Sequence, residues 1–174
     1  MMMIGNALRA GLQSGVIMGA ADITTQLCVE GIGNSDDDDN DNDFDVLRTL
    51  RWTGAGLLLH GPYFYMGFSI IDRKFGQAVT TWKVVAKKTT AAQFILFPPY
   101  LVALFGFMGV LEKHDNIKEK MIKRVPEAFI SGCVYWPVAN TINFRLIPNN
   151  LRVPYLAVSA GIWNSYLSYV NQST

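Results

Sequence analysis

The feature that most constrains this chain is a pair of long runs near its C-terminus that carry almost no charge. Residues 126–144 and 153–170 are 19 and 18 residues long, and Glu127 is their only charged residue. At about 1.5 Å per helical residue, each run is roughly 27–29 Å long, close to the roughly 30 Å core of a bilayer. An amide inside such a run finds no water in lipid, so it must face another helix or a wet cavity. The pair therefore predicts membrane-spanning helices that pack together.

Three further runs of this kind precede the pair, at residues 7–28, 51–71 and 89–110. We therefore predict an all-α fold, a polytopic membrane helical bundle with four principal transmembrane helices plus a C-terminal hydrophobic helix at 153–170. The composition agrees, since 50% of the 174 residues are hydrophobic and 17% are charged. A chain of this length is expected to form a single integral membrane domain, residues 1–174.

Charged residues are concentrated between the runs. Seven of the fourteen acidic residues lie between Asp36 and Asp45, in a tract at 33–45 that has almost nothing to bury and is expected to be a disordered loop. Segments 73–88 and 112–124 combine charges with apolar residues on one helical face, which predicts short interfacial helices. Basic residues are shared too evenly between the two sides for the positive-inside rule to choose an orientation.

Polar side chains at the depth of the runs are the candidate functional residues. They would either line a wet path between helices or form interhelical hydrogen bonds. The double proline Pro98-Pro99 is expected to break the third run and free backbone carbonyls that add to such a path. Two arginines after the fourth run would bias the mouth of the path towards anions. The candidate residues are Asp22, Gln26, His60, Gln93, Asn140, Asn143, Arg145, Arg152 and Asn164.

Small residues mark an expected helix contact. Gly11, Gly15 and Gly19 recur every four residues, so they share one helix face and allow a second backbone to approach closely. This stripe predicts packing within the chain, or alternatively a homo-oligomer formed through the same glycines. Pro62 is expected to kink the second helix. The remaining packing candidates are Trp136, Pro137 and Trp163.

The sequence contains no recognisable catalytic or metal-binding motif. H-E-x-x-H, G-x-S-x-G, C-x-x-C and P-loop patterns are absent, and Cys28 and Cys133 lack metal-ligand spacing. A net charge of +1 gives no argument for nucleic-acid binding. We therefore expect neither an enzyme nor a cofactor, metal or nucleic-acid partner, and the expected partner is the lipid bilayer.

The last quarter of the chain resembles one family in the order of its residues. The pattern consists of Trp136-Pro137, Asn140, Asn143-Phe144, Ile147-Pro148, Arg152 and residues 163–168, WNSYLS. It is similar to the pattern of the 22-kilodalton peroxisomal membrane protein and its Mpv-type mitochondrial inner-membrane relatives, where Gln usually stands at position 140 and Val at 147. The resemblance covers essentially the whole chain, although Tyr65 stands where the family carries His.

The resemblance implies a multi-pass protein of the mitochondrial inner membrane, with the peroxisomal membrane as the alternative. It also implies a pore or channel for small solutes that supports mitochondrial homeostasis. The residues leave a second function open, a non-conducting helical scaffold whose amides are all used in interhelical hydrogen bonds. In the peroxisomal alternative the protein would be a channel of that membrane.

Overall fold

A computed structural model shows that the chain is all-helical. It describes residues 2–30, 44–76, 81–113 and 115–172, with the backbone alone at residues 2, 3, 120 and 166–172. Within these ranges the chain forms five helices and no strands, which confirms the predicted all-α class. Most of the predicted acidic loop at 33–45, residues 33–43, lies outside the described residues.

The five helices, α1 to α5, run back and forth between the two ends of the bundle. α1 is α-helical over Met2–Thr24 and closes with a π turn at Thr25–Val29. α2 covers 46–75 and consists of Val46–Ala55, a π turn at Gly56–His60, and Gly61–Phe75. α3 is Trp82–Leu111, with a π turn at Ala92–Leu96. α4 is Ile117–Leu146, and α5 is Arg152–Gln172 after a 3-10 turn at Asn149–Leu151.

The alternating direction of the helices gives the bundle two distinct ends. The Asp22 end contains the last turns of α1 and α3 and the first turns of α2 and α4. The Asp72 end contains the last turns of α2 and α4 and the first turns of α1, α3 and α5. α1 packs against α2 and α5, and α3 packs along α4.

The predicted break at Pro98-Pro99 is wrong, because α3 continues through it as one helix. A π turn lies directly before this proline pair, at Ala92–Leu96, and another precedes Pro62, at Gly56–His60. A π turn inserts one residue into the helical ladder, so the helix accommodates the missing proline N–H without ending.

The predicted interfacial helices at 73–88 and 112–124 are also wrong, since neither segment is a separate helix. In the first segment α2 ends at Phe75 and α3 begins at Trp82. In the second, α4 begins at Ile117 and continues through Pro126. Lys, Glu and Met are good helix formers and long charged side chains reach water from a helix end, so the charged turns extend the apolar helices.

The outward faces of the helices are apolar. Leu12, Leu58, Ile95, Val134 and Ile162, one from each helix, are between 59% and 79% exposed. A continuous apolar surface of this kind is unusual for a monomer in water, and it marks a surface that meets lipid or another protein.

By length and composition alone, α3 is the one described helix that qualifies as a membrane span. This criterion does not confirm the four principal transmembrane helices that the sequence predicts. The other helices carry polar side chains on inward faces, and His60 on α2 and Asn143 on α4 are at most 1% exposed. Such residues lower the mean hydropathy of a helix without changing its outer surface.

The glycine stripe of α1 packs against α2 of the same chain. A Cβ atom at Gly15 would lie 3.1 Å from the carbonyl oxygen of Thr53, and one at Gly56 would lie 2.6 Å from the carbonyl oxygen of Ser14. Gly11 and Gly19, the other glycines of the stripe, also lie close to α2. The backbones of the two helices are therefore in direct contact, and a homo-oligomer through these glycines stays a prediction.

We expect Gly56→Ala to destabilise the protein by about 1–3 kcal/mol, because the added methyl group would overlap the backbone of α1. The thermal unfolding midpoint of the detergent-purified protein measures this effect. Gly5→Ala is the matched control, since a Cβ atom at Gly5 meets nothing within 4 Å and alanine favours the helix. Equal midpoints for the two variants would contradict the close approach of α1 and α2.

Candidate functional site

A buried cluster of three charged residues and one aromatic ring joins four helices at the Asp72 end. Asp72, near the end of α2, accepts a hydrogen bond of 2.6 Å from Lys88 Nζ on α3. Arg152 Nη1, at the start of α5, lies 3.0 and 2.9 Å from the two carboxylate oxygens of Asp72. Asp72, Lys88 and Arg152 are 8%, 0% and 3% exposed. The ring of Phe144 on α4 lies 5.7 Å from Lys88 Nζ and 5.3 Å from the Arg152 guanidinium carbon, so four helices contribute to the cluster.

Only Arg152 of this cluster was predicted from the sequence. Lys88 was assigned to an interfacial segment, and Asp72 lies directly before that segment. Their positions in the sequence could have indicated the contact between Asp72 and Lys88. An acid near the end of one helix and a base near the start of the next, antiparallel helix lie at the same end of a bundle.

The two arginines that were predicted to lie at the mouth of a solute path have different environments. Arg152 is buried and paired with Asp72. Arg145 is exposed and lies over the ring of Trp82, at 5.3 Å from the ring centroid.

A second polar network fixes the connection from α1 to α2 at the Asp22 end. Asp22 accepts hydrogen bonds from Gln26 Nε2 at 2.8 Å, the Thr49 hydroxyl at 2.7 Å and Arg48 Nε at 2.9 Å. Arg48 also donates to both carboxylate oxygens of Glu30 at 2.8 and 2.9 Å. Burial lowers the pKa of the Arg48 guanidinium, but the hydrogen bonds and charges of Glu30 and Asp22 outweigh burial and raise it overall. Asp22 and Gln26 are thus satisfied by neighbouring groups of the chain.

A cavity of about 420 Å³, called the central cavity, lies between the five helices and extends to the Asp22 end. Most of its wall is aromatic or aliphatic, which is typical of a site for a small molecule. Four of the polar candidates predicted from the sequence line it, Asp22, His60, Asn140 and Asn164. His60 Nδ1 lies 3.4 Å from the hydroxyl of Ser14, so one ring nitrogen has a neighbour within the bundle.

Several buried polar atoms find no hydrogen-bond partner among the described residues. Trp136 Nε1 and Asn140 Oδ1 are two of them, and both residues line the central cavity. Gln93 donates to Cys133 Sγ at 3.5 Å, while its Oε1 has no partner in this part of the chain. Asn143 is fully buried with neither amide atom paired, and it is not among the residues that line the central cavity.

The predicted packing residues lie at helix contacts. The ring of Trp163 stacks on Tyr135 with centroids 4.9 Å apart, which joins α5 to α4. The ring of Trp136 lies 5.6 Å from that of Phe97, which joins α4 to α3. Pro137 lies inside α4 without ending it.

In the described part of the chain, no group of three His, Cys, Asp or Glu side chains is placed to hold a metal ion. Cys28 and Cys133 are exposed free thiols.

Comparison with known proteins identifies related chains. A family model described as the Mpv17 / PMP22 family matches residues 109–168. The chain is 28% identical to Protein sym-1 of Neurospora crassa, over 94% of this chain and 91% of that protein. It is 31% identical to PXMP2/4 family protein 4 of Dictyostelium discoideum, over 83% and 77% of the two chains. It is 30% identical to the human mitochondrial inner membrane protein Mpv17, over 91% and 86%. No solved structure matches the chain.

These findings confirm the resemblance and the predicted localisation. Relatives from fruit fly, human and cattle carry the name mitochondrial inner membrane protein Mpv17. The PXMP2/4 relatives and the PMP22 part of the family description agree with the peroxisomal alternative. The residues that carry the resemblance also have structural roles, because Phe144 and Arg152 belong to the buried ion cluster and Asn140 lines the central cavity.

We expect Asp72→Asn to destabilise the protein by about 3–5 kcal/mol, because it leaves the charges of Lys88 and Arg152 buried without a counter-ion. Unfolding of the purified protein in detergent measures the loss. Glu127→Gln is the control, since its ion pair with Arg124 is exposed and long at 3.7 Å, and removing it should change little. An Asp72→Asn protein as stable as the control would show that the cluster does not hold the helices together.

Proposed function

Because this chain belongs to the Mpv17/PMP22 family of membrane proteins, we propose that it is a multi-span protein that conducts small solutes through its central cavity. In this proposal α1 to α4 are the four principal spans, and α5 packs with them as a fifth. The protein acts without catalysis or a cofactor, and its function supports the homeostasis of the organelle that contains it.

The distribution of side chains supports insertion of all the helices. Ile130, Val134 and Val138 follow one another at every fourth residue of α4, and they are 70%, 79% and 61% exposed. In water such a stripe would be an aggregation hazard, whereas in lipid it is the ordinary outer surface of a span. Asn140 and Asn143 of the same helix face inward and are 6% and 0% exposed.

The observation that carries the proposal is the central cavity, together with the unpaired polar atoms of two residues that line it. Its volume of about 420 Å³ is that of a small-molecule site. Trp136 Nε1 and Asn140 Oδ1 have no partner among the described residues, and an unpaired buried polar atom costs about 1–3 kcal/mol. Water or a polar solute in the cavity would supply these partners in a bundle whose outer surface is apolar.

The path through the bundle is closed by an aromatic layer. Phe64 lines the central cavity, and Phe68 lines a second cavity at the Asp72 end. The two ring centroids are 5.7 Å apart, and Phe68 lies 5.2 Å from Phe144. A solute passing from one end to the other displaces these rings, so we propose that conduction is gated at this layer.

A non-conducting scaffold is the second candidate function. The Asp22 network favours it, because Asp22 and Gln26 are fully used in hydrogen bonds that fix α1 to α2. In a scaffold, substitutions of cavity residues change thermal stability alone, and purified protein in liposomes passes no solute.

We expect Asn140→Leu to reduce solute flux into proteoliposomes several-fold, because it replaces a polar group of the central cavity by an apolar one of similar size. Asn143→Leu is the matched control. It makes the same change one turn further along α4, at a buried residue that does not line the central cavity, and it should leave flux unchanged in protein that folds. Absence of flux through the unaltered protein would favour the scaffold.

We expect Phe68→Ala to increase the same flux, because it removes a ring from the layer between the two cavities. A loss of stability accompanies the change, since truncating a buried phenylalanine costs about 3–5 kcal/mol. Phe94→Ala is the control for a lost ring, because Phe94 is 62% exposed on the outer surface of α3. A Phe68→Ala protein that reconstitutes but conducts no faster would place the barrier elsewhere.

A further inference from the structure

A second cavity of about 420 Å³ lies at the Asp72 end, between α1, α2 and α5. Unlike the central cavity, it is lined mainly by polar and charged side chains. Arg9 from α1, Arg73 from α2 and Arg152 from α5 contribute positive charge, and of the described lining residues Asp72 is the one acid. The lining therefore carries an excess of positive charge.

The single acid does not offset this excess. Asp72 is already bound by Arg152 Nη1 and by Lys88 Nζ, which lies behind the cavity wall and is fully buried. One carboxylate thus faces two buried cations, and the exposed side chain of Arg9 lines the same cavity. A buried excess of charge is costly unless an ion of opposite sign enters the site.

Arg152 also has an unused hydrogen-bond donor. Its side chain is 3% exposed, and Nε finds no partner in the described part of the chain, although Nη1 binds Asp72. A guanidinium carries five N–H donors, and a buried donor without an acceptor destabilises the folded protein. Because Arg152 lines the cavity, an oxygen-rich anion bound there would lie beside its guanidinium group.

The backbone adds to the positive potential. α5 begins at Arg152, and its first residues, Arg152, Val153 and Pro154, line the cavity. The N-terminus of a helix carries a partial positive charge and favours bound anions. Two amide side chains from the turn before α5, Asn149 and Asn150, also line the cavity and supply N–H donors.

We propose that this second cavity binds a phosphate-class anion, either the headgroup of an anionic lipid or a free phosphate. A phosphate group matches several arginines at once, because its oxygens accept the parallel N–H bonds of guanidinium groups. The cavity lies at the ends of helices whose outer faces are apolar, which is the level at which lipid headgroups meet a spanning bundle. This site is separate from the central cavity and does not depend on conduction.

The test uses the full chain in phosphatidylcholine nanodiscs and follows its thermal unfolding midpoint. In one arm inorganic phosphate replaces chloride at constant ionic strength, and in the other phosphatidylglycerol replaces part of the phosphatidylcholine. Binding to the folded state raises the midpoint. Stabilisation in the first arm alone identifies a free phosphate, in the second alone a lipid headgroup, and in both a site that accepts either.

Arg9→Gln and Arg73→Gln should each raise the apparent dissociation constant about tenfold, the loss expected for one charge-assisted hydrogen bond. Arg145→Gln is the matched control, because it removes one positive charge at the same end from a residue that lies over Trp82. The proposal is overturned if neither arm stabilises the protein, or if Arg145→Gln weakens the effect as much as the cavity variants do.

Discussion

The carboxylate of Asp72 is the interaction on which the arrangement of the helices most depends. It binds Lys88 from α3 and Arg152 from α5, and the ring of Phe144 from α4 lies against both cations. Buried ion pairs gain little net free energy over well-packed apolar groups, since desolvation offsets attraction. Their effect is on specificity, because any other register of the helices would leave a charge unpaired. α1, which does not contribute to this cluster, is fixed at the opposite end by the Asp22 network.

The two polar networks lie inside a bundle whose outer surface is rich in apolar side chains. Each helix presents leucine, isoleucine or valine to its surroundings, while buried hydrogen-bonding side chains such as Gln26, His60 and Asn143 face neighbouring helices. In lipid this is the favourable distribution, because apolar contacts outside cost nothing and polar contacts inside have no competing water. The interior combines these polar groups with a core of aromatic and aliphatic side chains, and the two cavities lie at opposite ends of the aromatic layer.

The helices were predictable from the sequence because long uncharged runs have few alternatives. Polar side chains inside such runs were expected to face another helix or a cavity, and His60 and Asn140 are buried accordingly. The continuity of α3 through Pro98 was not predictable, because a π turn one residue earlier compensates for the proline and leaves no composition signal. The burial of Lys88 was missed for a different reason. Its partner Asp72 is sixteen residues away, and only the packing of the two helices brings them together.

The difference between Arg145 and Arg152 shows the same limit. Both follow the fourth apolar run and carry the same charge, but one lies exposed on Trp82 and the other is buried against Asp72. The rotation of each residue about its helix decides this outcome, and rotation is set by tertiary contacts rather than by local sequence. Spacing in the sequence therefore predicted the position of a polar residue along the bundle axis better than the direction in which its side chain points from its helix.

The central claim is that lipid surrounds the outward faces of the helices. Spin labels at Leu12, Leu58 and Val134, residues between 61% and 79% exposed on three helices, test it most directly in reconstituted protein. The account predicts that these labels collide readily with oxygen, which dissolves in the bilayer, and rarely with a water-soluble nickel chelate. Frequent collisions with the nickel chelate at Val134, in the middle of α4, would contradict it.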